Sequence, residues 1–224
     1  MGSYWTYYLG ILFLSYALRY PPLLVAVVVF FALRRFIPDP MVLLRTAGRI
    51  RHLKTDIAAN PSNVTARRDL ASVYLQRLRP RAALKLLDEA RARFPDDPEL
   101  LFLTGLARLQ SGDAAGALDP LVAAVAADPR MRYGEPYLVA AQALMKLDRA
   151  EEAEDALERY VKVNSSSVEG FARLAMVRRR RADADGARRA IAEALSTYAQ
   201  VPPGYRRRKE LRWWFRAHLL RLGF

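Results

Sequence analysis

Three prolines recur at a fixed interval along the middle of this 224-residue chain. Pro61, Pro95 and Pro129 are separated by 34 residues and again by 34, and each one ends a segment with helical patterning. Proline lacks the backbone N–H that a helix interior needs, so each one indicates a helix boundary. A fixed interval of this length is typical of repeat proteins, in which similar units stack along one axis.

Small and large apolar residues recur with the same period. Four units can be placed, at residues 64–97, 98–131, 134–167 and 168–201, so the third unit begins two residues late. The positions that repeat hold alanine at 20 and a large apolar residue at 24, namely Ala83 and Leu87, Ala117 and Leu121, Ala153 and Leu157, and Ala187 and Ile191. A few residues depart from the pattern, namely Arg67 at position 4, Thr104 at position 7, Arg108 at position 11 and Tyr160 at position 27.

With this period and these positions, the chain resembles the tetratricopeptide repeat family over about 138 of its residues. The resemblance implies an all-α fold, a right-handed solenoid of about four antiparallel helix pairs over residues 59–201, with a capping helix over residues 202–224. Small residues let the helices approach closely and large ones fill the gaps, so stacked pairs share a core that no unit forms alone. The family binds many unrelated partners, so the resemblance implies an interaction protein without naming its ligand.

The usual ligand site of the family is the concave groove that the first helices of the pairs line. Mapped onto this sequence, the predicted groove has an apolar centre and a basic end, which favours an apolar helix or peptide whose acidic end lies near the last repeat. The asparagines of a carboxylate clamp for chaperone tails are missing from it. The alternative is that a segment of the same chain fills the groove. The predicted groove residues are Arg68, Leu75, Phe102, Leu106, Leu109, Gln110, Leu138, Gln142, Met145, Arg179 and Arg180.

The N-terminal residues 1–36 predict a membrane anchor. Residues 4–18 and 23–33 form two uncharged, mostly apolar runs on either side of Arg19 and a proline pair. Each run is shorter than the roughly 20 residues of a spanning helix, which favours a short helical hairpin; a kinked single span and a buried pair in a soluble core are the alternatives. Basic residues follow the second run, so the repeats are expected on the cytoplasmic side, as in a bacterial inner-membrane protein.

Most of the net charge of +13 lies at the two ends of the chain. Residues 1–58 carry +5, residues 59–201 carry +2 and residues 202–224 carry +6. A basic helix over residues 37–58 is expected either near the lipid headgroups or as a solvated linker, and the tail is expected to cap the solenoid, to touch the membrane, or both. The residues predicted at the membrane surface are Arg34, Arg35, Arg45, Arg49, Trp213 and Trp214.

The sequence holds little that could carry catalysis. Cysteine is absent and there are only two histidines, which excludes cysteine-ligated metals, thiol nucleophiles and disulfide scaffolds. No phosphate-binding glycine loop or catalytic serine motif is present, so we expect no enzyme, cofactor or metal. The sequence therefore predicts a membrane-anchored adaptor that binds a partner protein or peptide. The alternative is binding of anionic lipid or nucleic acid through the basic ends, with nucleic acid disfavoured.

Overall fold

A computed structural model describes residues 40–202 and 205–223, together with the isolated positions 22 and 25. The described residues form ten α-helices and one short 3-10 turn at Met131–Gly134. The predicted hairpin over residues 1–36 lies outside the described ranges except for those two positions, and no described helix is both long and apolar enough to cross a bilayer. The helices are α1 Pro40–Ala59, α2 Val64–Gln76, α3 Pro80–Arg91, α4 Pro98–Ser111, α5 Leu118–Ala127, α6 Glu135–Lys146, α7 Ala150–Val163, α8 Val168–Arg180, α9 Ala184–Gln200 and α10 Tyr205–Leu222.

The pairs α2–α3, α4–α5, α6–α7 and α8–α9 coincide with the four units predicted from the sequence. Each helix packs against the next along the chain, and α2, α4 and α6 also contact one another in order. The repeated large residues Leu87, Leu121, Leu157 and Ile191 are all buried, as are the alanines at position 20. The predicted all-α solenoid of helix pairs is therefore confirmed within the described part of the chain.

The turn inside each pair closes in the same way four times. The residue at position 15 has positive φ in every unit: 55° at Leu78, 98° at Gly112, 61° at Asp148 and 61° at Ala182. Positive φ reverses the chain direction tightly after the first helix, and glycine adopts it at lowest cost. Only one of the four turns uses glycine, so packing of the helices around the turns holds the other three in this conformation.

Helix α1 is part of the solenoid rather than a separate linker. Its Leu53 is buried against Leu70 and Val73 of α2, and Leu53 precedes the equivalent Leu87 by one full period of 34 residues. Arg49 of α1 also forms an ion pair with Asp69 of α2 at 3.2 Å. Helix α1 therefore occupies the place of the second helix of a preceding pair. Two of the residues predicted at the membrane surface lie on this helix: Arg45 is exposed, and Arg49 contacts α2. Arg34 and Arg35 lie outside the described residues.

Helix α10 covers the other end of the array. Trp213 and Ala217 are buried against Val168 and Ala172 of α8 and against α9. Trp213 is only 3% exposed, and the guanidinium groups of Arg173, Arg212 and Arg216 lie 4.5–5.1 Å from its ring centroid. The capping role agrees with this packing.

The prediction that Trp213 faces the membrane is wrong, because helix packing hides its ring. Trp214 is half-buried: its ring lies 5.5 Å from that of Tyr198 and 4.2 Å from that of His218. The two tryptophans follow one another in the sequence, so they point to different sides of α10. The Trp213 side packs on α8 and α9, and the Trp214 side is partly covered by Tyr198 and His218.

Residues that depart from the repeat pattern find polar partners. Arg67 donates to Glu89 of α3 at 2.9 Å, and the buried Thr104 hydroxyl donates to the Leu100 carbonyl at 2.7 Å. Arg108 donates to the carbonyl of Gly116 at 2.8 Å. Because buried polar groups are tolerated when they are hydrogen-bonded, these departures do not break the stacking.

Tyr160 is the departure that requires a matching change in the next unit. Its ring packs on Gly170, where an added Cβ would lie 2.7 Å from Cε1 of Tyr160. The Tyr160 hydroxyl donates to Ser167 Oγ at 3.1 Å and accepts from the Asn164 amide at 3.2 Å. Ser167 Oγ in turn accepts from the Gly170 N–H at 3.0 Å and so caps α8. The large ring at the α7–α8 junction is therefore accommodated by a glycine.

We expect Gly170→Ala to lower the free energy of unfolding by roughly 1–3 kcal/mol, because the new methyl group overpacks against Tyr160. Gly48→Ala is the matched control: Gly48 is also helical but has nothing within 4 Å of its Cβ position. The control should be neutral or more stable by up to about 1 kcal/mol. Urea unfolding followed by circular dichroism measures both, and an unchanged stability of Gly170→Ala would contradict the close packing.

Burial raises the pKa of the Tyr160 phenol above its ordinary value. The folded state therefore holds this proton more tightly than the unfolded state does. Its contribution to stability is complete below the unfolded pKa, about 10, and is lost as the pH rises through the folded pKa. As the pH rises above about 10, the unfolded pKa, we expect the stability of Tyr160→Phe to fall less steeply than that of the wild type. Thermal melts across an alkaline pH series measure both. Tyr133→Phe, at an exposed phenol, is the control, and equal slopes for Tyr160→Phe and wild type would refute the assignment.

Candidate functional site

Four of the predicted groove residues are buried. Phe102 has no exposed surface, and Leu75, Leu109 and Leu138 are less than one-tenth exposed. Phe102, Leu75 and Leu109 belong to the core around α2–α5, and Leu138 belongs to the core around α6–α9. These four residues are therefore structural in this conformation, and their prediction as ligand contacts is wrong.

The two-residue offset before the third unit places a further side chain beside the buried Phe102. Arg132 and Tyr133, the inserted residues, have φ of 47° and 57° and turn the backbone ahead of Gly134. The turn brings the guanidinium of Arg132 to 5.0 Å from the Phe102 ring centroid. The insertion thus folds a side chain of the same chain over the middle of the predicted groove.

Arg132 is held in place by two carboxylates. Its Nε donates to both oxygens of Glu99 at 3.1 Å, and its Nη1 donates to Glu135 at 3.3 Å. Hydrogen bonding to Glu99 raises the pKa of Arg132 above its ordinary value. A bidentate arginine–carboxylate pair fixes direction as well as distance, which keeps the planar group over the Phe102 ring.

An open part of the groove remains between α6 and α8. Contacts between these two helices are sparser than those between the earlier first helices, and a pocket of about 240 Å³ lies between them. Gln142 and Met145, both half-buried, are the two predicted groove residues that line it. Met176, 41% exposed, faces them from α8. The other lining residues are Ala141, Lys146, Leu157, Arg173 and Val177.

The basic end of the predicted groove is used for contacts within the chain. Arg180 donates to the Met145 carbonyl at 3.4 Å and pairs with Asp148 at 3.7 Å. Arg179 donates to the Gly223 carbonyl at 3.2 Å, at the end of α10. Lys146 repeats the pattern one unit earlier, because its Nζ donates to the Leu109 carbonyl at 3.3 Å. Lys146 and Arg180 therefore tie the ends of successive first helices together, and Arg179 ties α8 to the end of α10. The helix dipole also favours positive charge at these helix ends.

The remaining predicted groove residues lie on the first two units, away from the open pocket. Arg68 is half-buried and pairs with Asp69 at 3.2 Å, Leu106 is half-buried, and Gln110 is exposed. The two-residue offset before the third unit is the sequence signal that distinguishes these residues from Gln142 and Met145, because it places Arg132 over the second unit.

A larger groove lies on the second helices, bounded by α5 and α7 with α6 beneath. It encloses about 560 Å³, and Val122, 63% exposed, is part of its apolar floor. Its rim is acidic, but Arg149 pairs there with Glu152 at 2.5 Å and Arg159 with Asp155 at 2.9 Å. We refer to it as the convex groove.

One polar network in the described ranges joins three helices of the last two units. No group of three or more potential metal-ligating side chains comes together among the described residues. The buried Glu154 of α7 accepts from Arg178 Nε at 2.7 Å and from Arg181, and Arg178 also donates to the Gly186 carbonyl at 3.3 Å. This network links α7, α8 and the start of α9.

A family model described as tetratricopeptide repeat matches residues 68–131, the region of α2 to α5. Residues 68–131 therefore match the tetratricopeptide repeat family, and the same helix-pair geometry continues through the later units. No curated protein matches the sequence significantly.

Solved structures of the same fold cover most of the described solenoid. A crystal structure of MamA is 19% identical with a TM-score of 0.63, covering 67% of this chain and 87% of its own. MamA from Desulfovibrio magneticus RS-1 is 17% identical with a TM-score of 0.64, covering 71% and 92%. YrrB, described as a tetratricopeptide repeat protein with an unusual peptide-binding site, is 14% identical with a TM-score of 0.59, covering 70% and 82%. At these identities the likeness establishes the fold alone.

We expect Arg132→Ala to destabilise the protein by about 1–2 kcal/mol at low salt, because Glu99 and Glu135 lose their shared cation and Phe102 loses its cover. The loss should shrink at high salt, since half-exposed ion pairs are screened. Urea unfolding at two salt concentrations measures the difference. Arg132→Lys, which keeps the charge but not the two-oxygen geometry, should fall between wild type and Arg132→Ala; a salt-independent loss would contradict the ion-pair role.

Proposed function

We propose that this protein is a scaffold that binds a short apolar segment of a partner protein in the open groove between α6 and α8. The observation that carries the proposal is the pocket that Met145 and Met176 line from facing helices. Both methionines are partly accessible, unlike the buried apolar residues of the earlier units. An accessible apolar surface of this kind on a rigid repeat array is suited to binding rather than to chemistry.

The size of the groove favours a peptide side chain over a whole small molecule. Its volume of about 240 Å³ is below the range typical of pockets that enclose drug-sized ligands. Methionine side chains are flexible and polarisable, so this surface adapts to different apolar side chains. One or two large apolar residues of a helix or extended segment would fill it by the helix-in-groove mode.

The charges around the groove favour an acidic residue beside the apolar one. Lys146 and Arg173 line the pocket, and Arg180 lies at the neighbouring end of α8. Arg173 already donates to Glu169 at 2.8 Å, and Lys146 to a carbonyl, so these cations would share a ligand carboxylate rather than meet it alone. The fold neighbour YrrB, described as having an unusual peptide-binding site, supports a peptide ligand by analogy of fold.

The apolar N-terminal residues support a location at a membrane. As argued from the sequence, residues 1–36 suit a hairpin anchor, and the basic residues behind it suit a cytoplasmic solenoid in a bacterial inner membrane. Helix α1 begins at Pro40 and packs directly on α2, so little chain separates that segment from the repeats. The groove would then recruit its partner close to the bilayer, as an adaptor for a membrane complex.

The groove is tested by selecting peptides from a random library with the purified full chain in detergent, then measuring the affinity of the selected peptides. Met176→Glu places a charge in the apolar pocket without touching the core. We expect it to weaken binding at least about tenfold, equivalent to about 1.4 kcal/mol.

Val122→Glu is the matched control, because Val122 is an exposed apolar residue outside this groove. It should bind the selected peptides like the wild type, and both variants should melt like it. Equal affinity for wild type and Met176→Glu, or selection of no peptide, would refute the proposal. Loss in Val122→Glu alone would move the site to the convex groove.

A further inference from the structure

Helix α10 presents a second apolar face that no described residue covers. Leu211, Phe215, Leu219 and Leu222 are 48%, 57%, 53% and 82% exposed. Their spacing of four, four and three residues aligns them along one side of a helix with 3.6 residues per turn. We call these four residues the outer stripe.

The outer stripe lies opposite the face that caps the solenoid. Trp213 and Ala217, which pack on α8 and α9, are offset from Leu211 by about 200° and 240° around the helix at roughly 100° per residue. The stripe is therefore not part of the capping contact. A helix that only capped the array would be expected to turn polar residues outward at these positions.

Basic residues border the outer stripe. Arg212 and Arg216 lie on the flank between the two faces, both exposed, with their guanidinium groups about 5 Å from the Trp213 ring centroid. Residues 202–224 contain seven basic residues and one acidic residue. A helix with an apolar stripe and arginines along its flank is the pattern of helices that lie in the interface of an anionic bilayer.

We propose that the outer stripe of α10 docks on an anionic membrane surface, with its apolar side chains among the acyl chains and its arginines at the phosphates. This attachment is independent of the peptide groove between α6 and α8. With the anchor proposed at the N-terminus, the chain would touch the bilayer at both ends, and the solenoid would lie along the membrane rather than project from it. An N-terminal anchor would also raise the effective concentration of α10 at the membrane surface, so a weak contact of the outer stripe would be sufficient.

Other occupants of the outer stripe are less well matched. Pairing of two α10 helices through the same face would bring two segments of charge +6 together. The chain's own N-terminal residues precede α1, which packs at the opposite end of the array, three helix pairs away from α8. The convex groove of a second copy, with its acidic rim, is the remaining candidate, and the experiment is designed to distinguish it.

The absence of cysteine makes a site-specific test direct. A single cysteine at Phe215 carries an environment-sensitive fluorophore in the full chain, reconstituted into vesicles of phosphatidylcholine alone or with phosphatidylglycerol. We expect a blue-shifted emission, quenched by brominated lipid, only in the vesicles that contain phosphatidylglycerol. Val122→Cys carries the control probe, since Val122 has a similar exposure but lies on the convex groove. That probe should report water in both vesicles.

Each outcome decides the proposal. A probe at Phe215 that stays in water in anionic vesicles overturns it. Shielding of Phe215 without anionic lipid also overturns it, and accompanying shielding of Val122 at high protein concentration would identify a second copy as the occupant. Peptide affinity plays no part in this readout, so the proposed peptide site and the proposed membrane contact can be refuted independently of each other.

A charge variant tests the electrostatic part. We expect Arg212→Gln with Arg216→Gln to reduce the ratio of docked to undocked α10 by roughly fivefold for each arginine, since each basic residue near an anionic surface contributes that factor. Both arginines also contact Trp213, so the melting temperature is compared first. If the variant does not fold, the wild type is titrated with salt: shielding of the Phe215 probe must fall as salt rises, and shielding unaffected by salt overturns the proposal.

Discussion

Packing of one large side chain from each second helix against small residues of its neighbours holds this array together. Leu87, Leu121, Leu157 and Ile191 are each almost fully buried, and each contributes roughly 1.5–3 kcal/mol by leaving water. No helix pair closes its own core, so the contribution of each of these side chains depends on the pair beside it. Helix α1 extends the series with Leu53 and α10 ends it with Trp213. Contacts between adjacent helix pairs therefore determine the shape of the scaffold on which any ligand-binding surface lies.

The binding surface is decided by an exception to this regularity. Two extra residues before the third unit place Arg132 between Glu99 and Glu135, over Phe102, and close the middle of the concave side. Beyond the insertion, α6 and α8 lie far enough apart to leave Met145 and Met176 accessible. A change of two residues in length thus moves the accessible groove from the centre of the array toward its C-terminal half. The regular units supply stability, and the irregular junction selects where a partner can enter.

The repeat spacing was sufficient to predict the helix pairs, because it depends on proline positions and on apolar residues that are read directly from the chain. Prediction of the groove was weaker: Gln142 and Met145 line the open pocket, whereas Phe102 and Leu75 are buried. The position of a residue within a repeat predicts the direction of its side chain. It does not predict whether another part of the chain covers that side chain, as Arg132 covers Phe102. The membrane-surface prediction for Trp213 was wrong for a related reason, because an aromatic residue in a basic tail suits a membrane contact and a capping contact equally well.

The positive-φ turns have a consequence for how freely this sequence can vary. A left-handed backbone costs a residue other than glycine roughly 1–2 kcal/mol, whereas glycine loses roughly 0.5–1 kcal/mol more conformational entropy when it is ordered. The second penalty offsets about half of the first, so Leu78, Asp148 and Ala182 stand where Gly112 does at a net cost of roughly 1 kcal/mol or less. Mutations can therefore accumulate at these turns while the curvature of the solenoid stays the same. Divergence of the sequence at such positions carries little information about divergence of the shape.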